Sequence, residues 1–245
     1  MLIDTHCHVD RFRDPLEIAS ECEQEKIGAI AVTNIPSHYE LALPHLAKFR
    51  YVKPALGFHP MAVAESANEL PLFLSLFEKA EFIGEVGLDF SREGMPSKDQ
   101  QLEVFKRIVE AIASQPKFTT IHTRGSADET LSILNEHDVR NCVFHWYSGT
   151  LETLHKVLEA GHYCSVNTAM CDSKKGQEII KSIPKDRILT ESDGPYIKIG
   201  KREAKPFDMA QVVEFIATCW DVDSAVAENQ IEKNYVKLKS DLLAQ

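Results

Sequence analysis

The stretch Ile3-Asp4-Thr5-His6-Cys7-His8-Val9-Asp10 decides between two α/β architectures. It reads as a first strand, near residues 2–8, that runs directly into a turn. An open doubly wound sheet would carry a glycine-rich phosphate turn at this point. This chain carries His6 and His8 there, two residues apart and so on one face of the strand, where both imidazoles can reach a single metal ion. Alone, such a pair suits a packed core or a surface equally well. Its weight comes from other strand ends: Glu85 in Ile83-Gly84-Glu85-Val86-Gly87-Leu88-Asp89, then His122, His145 and Asp193. In a (β/α)8 TIM barrel every strand delivers its C-terminal end to the same face, so ligands far apart in sequence meet there. The expected fold is therefore α/β, a (β/α)8 TIM barrel of the metal-dependent hydrolase type, with a two-metal centre.

The remaining segments fit that count. Strand-like runs fall near 2–8, 28–34, 52–58, 82–88, 118–123, 141–147, 163–167 and 187–192. Amphipathic stretches lie between them near 15–26, 37–49, 65–79, 97–115, 126–137, 150–160 and 174–183. Ser66, Ser97, Ser126 and Thr150 are candidate N-caps. A loop rich in Gly, Pro and Lys, from Gly194 to Pro206, precedes helical stretches near 208–220 and 223–243 that are expected to close the barrel's end. With 245 residues and no low-complexity break, residues 1–245 are expected to form one barrel domain.

Hydrophobic residues make up 44% and charged residues 26% of the chain, the balance of a globular protein able to bury a large core. The chain opens on a strand rather than a basic-then-apolar leader and has no long uncharged apolar run, so a cytoplasmic protein without membrane contact is expected. Cys7, Cys22, Cys142, Cys164, Cys171 and Cys219 form no C-x-x-C pair and read as reduced thiols. The net charge of −10 argues against a long phosphate-tracking surface, so a phosphate substrate would need local positive charge, which bound metals supply.

Each candidate has a bland and a chemical reading. Glu85 is either a salt-bridged strand end or a carboxylate that bridges two cations with its two oxygens. Arg124 shares a strand face with His122 and suits a phosphate oxygen. Trp146 and Tyr147 are either core or a base-stacking wall. Asp193 is placed to bind a metal and accept the proton of the attacking water, with Glu191 two residues earlier orienting neighbouring groups. His59, in Gly57-Phe58-His59-Pro60, is either a substrate contact or a loop histidine. Lys198, Lys201 and Arg202 either hold phosphates or decorate a solvated turn. His38, His45, His137, His155 and His162 read as surface. The ligand set divides as His6, His8, Glu85 and Asp193 around one ion and Glu85, His122 and His145 around a second. Mg, Mn or Zn each suit such mixed donors.

On these residues the chain resembles the TatD family of metal-dependent nucleases in the amidohydrolase superfamily. The matching stretches run from Asp4–His8 through Gly57–Pro60, Gly84–Asp89, Ile121–Arg124 and His145–Gly149 to Glu191–Pro195, with Asn234-Tyr235 near the end. The resemblance implies metal-dependent cleavage of DNA phosphodiesters, often exonucleolytic, with single-stranded DNA or DNA ends as substrate. Two departures bear on substrate preference. Gly125-Ser126 stand where an acidic and a small residue are usual, and Gly200–Pro206 replaces an Arg-Asn-x-Pro segment. Asp14-Pro15, His145–Gly149, Val166–Met170 and Lys205–Asp208 are more similar to the QatD branch, the nuclease of four-component Qat anti-phage systems. That likeness implies an ATPase, a QueC-like enzyme and a small protein as partners. Two other readings stand beside it: a hydrolase of small amides, esters or lactones, and a non-hydrolytic subunit that binds nucleic acid or partner proteins.

Overall fold

The computed structural model describes residues 1–244. Eight strands follow one another in chain order around a nearly closed barrel: β1 (Ile3–Cys7), β2 (Gly28–Ala31), β3 (Val52–Phe58), β4 (Phe82–Asp89), β5 (Phe118–Arg124), β6 (Val143–Phe144), β7 (Tyr163–Val166) and β8 (Ile188–Thr190). Every neighbouring pair from β1 to β8 is parallel. The seam between β8 and β1 is joined differently. Thr5 Oγ1 donates to Thr190 O at 3.0 Å, Thr190 Oγ1 donates to Ile3 O, and Asp193 N–H donates to His6 O at 2.9 Å.

Around the strands run α1 (Pro15–Glu25), α2 (Pro36–Leu46), α3 (Val63–Ser66), α4 (Leu70–Phe77), α5 (Lys98–Ser114), α6 (Ala127–Glu136), α7 (Leu151–Glu159), α8 (Thr168–Asp172) and α9 (Lys174–Ser182). A small antiparallel hairpin, β9 (Lys198–Ile199) and β10 (Arg202–Glu203), leads to α10 (Met209–Trp220) and α11 (Ser224–Leu243). No helix among the described residues is long and apolar enough to cross a membrane.

Three local expectations change. The helix expected over 65–79 is split into α3 and α4, because Pro71 sits in the first turn of α4, where a missing amide hydrogen is harmless, and would break a continuous helix. The strand expected over 141–147 pairs only at Val143–Phe144. Beyond it the chain leaves the ladder, with Trp146 at φ 38° and its N–H turned toward Glu191. Of the four expected caps only Thr150 accepts a bond from its helix, from Thr153 N–H at 3.1 Å. The Ser126 hydroxyl instead donates to Leu88 O at 2.6 Å, while Asp14 and Ser173 cap α1 and α9.

Alternation along the strands connects core to site. Phe82, Phe118, Val143, Tyr163 and Leu189, near the strand beginnings, share one buried cluster with Leu238, which sets α11 against that end of the barrel. Side chains two and four residues further on point to the same interior. Those positions are Thr120 and His122 on β5, His145 after β6, Ser165 and Asn167 on and after β7, and Glu191 and Asp193 after β8. The intervening residues Ile121, Phe144, Cys164 and Ile188 face outward into the cluster under the helices.

Gly57 sets the spacing of β2, β3 and β4. A Cβ there would lie 1.6 Å from Thr33 O and 2.8 Å from Glu85 N, and the same Thr33 O accepts the Glu85 N–H at 3.1 Å. Gly57→Ala must therefore part the strand ends that position Glu85. We expect a loss of about 3 kcal/mol or more in denaturant unfolding, far beyond the cost of an ordinary surface change.

His162, read from sequence as surface, is completely buried. Its Nδ1 accepts Cys142 N–H at 3.2 Å and its ring stands edge-on to Phe144, centroids 5.2 Å apart. Burial, reinforced by Arg140 and Arg187, pushes its pKa down to about 3. Above about pH 6.5 folded and unfolded chains both carry neutral His162, so no penalty exists. As pH falls from there toward 3 the unfolded chain binds a proton that the folded one excludes, and stability is lost. His162→Asn keeps an acceptor for Cys142 and should flatten this acid limb, read as thermal midpoints between pH 7 and pH 4. An unchanged limb would assign the acid sensitivity elsewhere.

Among the cysteines, Cys7, Cys22, Cys142 and Cys164 are buried and Cys171 and Cys219 half-buried, all as free thiols.

Candidate metal centre

Glu85 is the hub of the strand ends. It sits where the register of β4 slips between Ile83 and Val86, and it is 2% exposed. Its two oxygens face different histidines. Oε2 lies 3.2 Å from His8 Nε2, 3.6 Å from His6 Nε2 and 3.5 Å from His59 Nε2. Oε1 lies 2.6 Å from His122 Nδ1 and 2.8 Å from His145 Nε2. Asp193 Oδ1 completes the first group, 3.6 Å from His8 Nε2 and 3.9 Å from His6 Nε2, with the two histidine nitrogens 3.4 Å apart. Four donors at bond lengths of about 2.1 Å around a tetrahedral cation stand ~3.4 Å from one another. The spacing is therefore that of a cation-holding set, and three overlapping triads, His6–His8–Asp193, His6–Glu85–His145 and His59–Glu85–His122, could each hold one.

Neighbouring groups orient these donors. His6 Nδ1 meets Thr120 Oγ1 at 2.7 Å, which leaves Nε2 to face the centre, and the His6 ring stacks on His145 with centroids 3.8 Å apart. His122 Nε2 lies 2.9 Å from Asp89 Oδ2, so that its Nδ1 lone pair points at Glu85. Asp89 is itself held, its N–H donating to Gln101 Oε1 at 2.8 Å and its Oδ1 accepting Ser91 N–H at 2.8 Å. Glu191 takes three bonds from the ends of β6 and β7: Trp146 N–H at 2.8 Å, Asn167 Nδ2 at 2.9 Å and the Ser165 hydroxyl. Its Oε2 is 3.5 Å from His145 Nδ1. Asp4 Oδ1 accepts His6 N–H at 3.1 Å and Ser192 N–H at 3.0 Å, tying the end of β1 to the end of β8.

The electrostatics call for positive charge. Glu85, Glu191 and Asp193 are buried, and no Lys or Arg pairs with any of them among the described residues. A bare Nδ1 and a carboxylate oxygen 2.6 Å apart, as at His122 and Glu85, repel unless a proton or a cation lies between them. Protonation alone divides the cluster against itself. Burial drives His6 well below the ordinary histidine value, whereas Glu85 and Glu191 outweigh burial and hold His145 well above it. Burial pushes Asp193 up to about 7 against the pull of His145 and His8. Burial also opposes ionisation of Asp89, but hydrogen bonds from His122 and Ser91 outweigh it and hold the pKa at about 2. A divalent cation would resolve these conflicts at once, so the donor set fits one.

The other candidates fall at varied places. His59, partly exposed, reaches the cluster through Glu85 and stands edge-on to His122, centroids 4.8 Å apart. Arg124 is exposed at the end of β5. Tyr147 is core, 1% exposed, its hydroxyl donating to Thr150 O at 2.7 Å, whereas Trp146 is 37% exposed beside His145. Lys201 is exposed at the tip of the β9–β10 hairpin. Lys198 pairs with Glu203 at 3.1 Å, and both Nη atoms of Arg202 are committed to Asp208 at 2.6 and 2.7 Å. Asp89, Thr120, Ser165, Asn167 and Asp4 were not singled out from sequence. The same-face rule, extended forward from Tyr163 and back from His122, would have found Ser165, Asn167 and Thr120.

A parallel barrel with imidazoles and carboxylates clustered at its strand ends defines a metal-dependent hydrolase. The TatD-related DNase family profile matches residues 3–240, and the chain belongs to the TatD family. It is 29% identical over 250 residues to the Bacillus subtilis metal-dependent hydrolase YabD, covering 94% of this chain and 97% of that one. It is 24% identical over 236 residues to human deoxyribonuclease TATDN3, covering 88% and 86%. Among solved structures, the TatD homologue YjjV of Escherichia coli superposes with a TM-score of 0.88 at 20% identity over 97% of both chains, a likeness of fold.

Proposed function

We propose that this protein is a metal-dependent deoxyribonuclease that removes nucleotides from single-stranded DNA or DNA ends. The observation that carries the reading is the division of Glu85, one oxygen toward His6 and His8 and the other toward His122 and His145. The human relative named as a deoxyribonuclease supports the substrate. His6, His8, Glu85 and Asp193 would hold one cation and Glu85, His122 and His145 a second. Divalent cations there would supply Lewis-acid activation of water and neutralisation of phosphate charge. Asp193 would accept the proton of the attacking water at a carboxylate oxygen. Glu191, saturated by Trp146, Asn167 and Ser165, holds the ends of three strands in register around His145. Arg124 grips a phosphate oxygen from the rim, His59 contacts the substrate beside Glu85, and Lys201 adds positive charge at the hairpin tip, whereas Arg202, read from sequence as a phosphate contact, is neutralised by Asp208.

The resemblance of Asp14-Pro15, His145–Gly149, Val166–Met170 and Lys205–Asp208 to the QatD branch supports a role in anti-phage defence alongside other Qat components. End-labelled single- and double-stranded DNA, incubated with protein and Mg, Mn, Zn or chelator, tests the activity. Cleavage that needs metal and starts at an end is expected. Inert DNA together with turnover in a panel of amides, esters and lactones would overturn the reading in favour of a small-molecule hydrolase.

A further inference from the structure

The rim of the metal centre carries an aromatic side chain for which the hydrolytic chemistry has no use. Tyr196 follows Asp193 by three residues, and its N–H donates to Asp193 O at 2.9 Å, which pins the turn to the ligand strand. Its ring stands edge-on to the imidazole of His8, centroids 4.8 Å apart at 78°. The residue is nevertheless 54% exposed. An aromatic ring is thus held in fixed orientation against a metal ligand while much of its surface stays open to solvent.

Asp10 and Arg11 follow β1, two and three residues after His8. Arg11 Nε and His38 Nδ1 lie 3.6 and 3.7 Å from Asp10 Oδ2, and Arg11 Nη2 lies 3.4 Å from His38 Nδ1. These three line a groove of about 550 Å³, together with exposed Leu16 and Leu41. Open aromatic surface, hydrogen-bonding groups of both kinds and apolar walls are what a nucleobase requires; the ring's contact with His8, and the position of Asp10 and Arg11 two and three residues after that ligand, set both beside the metal centre.

We propose that Tyr196 is a stacking platform for the base of the nucleotide whose phosphate lies at the metal centre, with the edge of that base turned toward Asp10, Arg11 and His38. The proposal rests on the nuclease reading above. Stacking accepts every base, because each has a π-face, so the platform would orient the scissile nucleotide without demanding a sequence.

The test compares Tyr196→Ala and Tyr196→Phe with the wild type in the full chain, after metal content has been matched. Each protein is given a single-stranded oligonucleotide and the same oligonucleotide with a base-free spacer at the cleaved position. Tyr196→Ala is expected to lose about 10- to 100-fold in kcat/KM on the base-bearing strand, with a loss about tenfold smaller on the base-free one. Tyr196→Phe keeps the ring and is expected to stay within about twofold of wild type. Equal losses on both strands would overturn the platform, because they would mean that Tyr196 acts through His8. A Phe variant as impaired as the Ala variant would also overturn it, by assigning the effect to the hydroxyl. Wild-type protein that cleaves neither strand with Mg, Mn or Zn would remove the nuclease reading and the platform with it.

Discussion

Asp193→Asn is expected to lower the rate of DNA cleavage by about 10³-fold or more while leaving the fold intact. The amide keeps the size of the carboxylate, and the backbone bonds that hold this position, Asp193 N–H to His6 O and Tyr196 N–H to Asp193 O, survive. What disappears is the capacity to take a proton, because an amide is not basic near neutral pH. The loss should therefore lie in kcat more than in KM. His6, His8 and Glu85 remain to hold a cation, so metal content should fall less than activity. Steady-state kinetics on a labelled oligonucleotide beside metal analysis of the same preparation separate the two effects. A variant that cleaves at the wild-type rate would remove Asp193 from the chemistry.

Glu85→Gln should do more, because Glu85 faces both groups of histidines. Its replacement leaves His6, His8, His122 and His145 without the anion that every one of them faces. A neutral amide with one oxygen cannot serve as a ligand to two cations. We expect purified Glu85→Gln to carry almost no metal and to lose about three orders of magnitude or more in activity. The variant should also show altered histidine titration, since Glu85 is among the groups that raise His122 and His145. Retention of full metal content would show that Asp193 and the histidines suffice, and would remove Glu85 from the role of hub. Together the variants form a graded pair: Asp193→Asn uncouples chemistry from metal holding, and Glu85→Gln removes both.

The barrel itself was legible because its signals are local. Each strand appeared as a short apolar run, and the absence of a glycine-rich turn after Ile3–His8 excluded the open sheet. Boundaries were less legible. Pro71 interrupted an amphipathic stretch whose pattern continued through it, and the ends of β6 and β8 were shortened by chain that turns inward to serve Glu191 and Asp193. Serines at helix starts showed a capacity to cap, but whether the hydroxyl bonds its own helix or a neighbouring strand depends on what packs beside it, as Ser126 shows with Leu88 O.

The chain's order of residues by itself determined that His6, His8, Glu85, His122, His145 and Asp193 stand at strand ends, since alternation and the parallel barrel topology place them there. It could not determine which atoms meet. That Glu85 sends separate oxygens to separate histidines, that Asp89 orients His122 and that two other strand ends saturate Glu191 follow from side-chain directions and distances. It could not show that His162 is core while Trp146 and Tyr196 are open, because the exposure of a polar or aromatic residue is decided by what the rest of the chain lays against it. Local pattern carries direction along a strand; burial, tautomer and partner are properties of packing between segments far apart in the chain, and only the closed barrel brings those segments together.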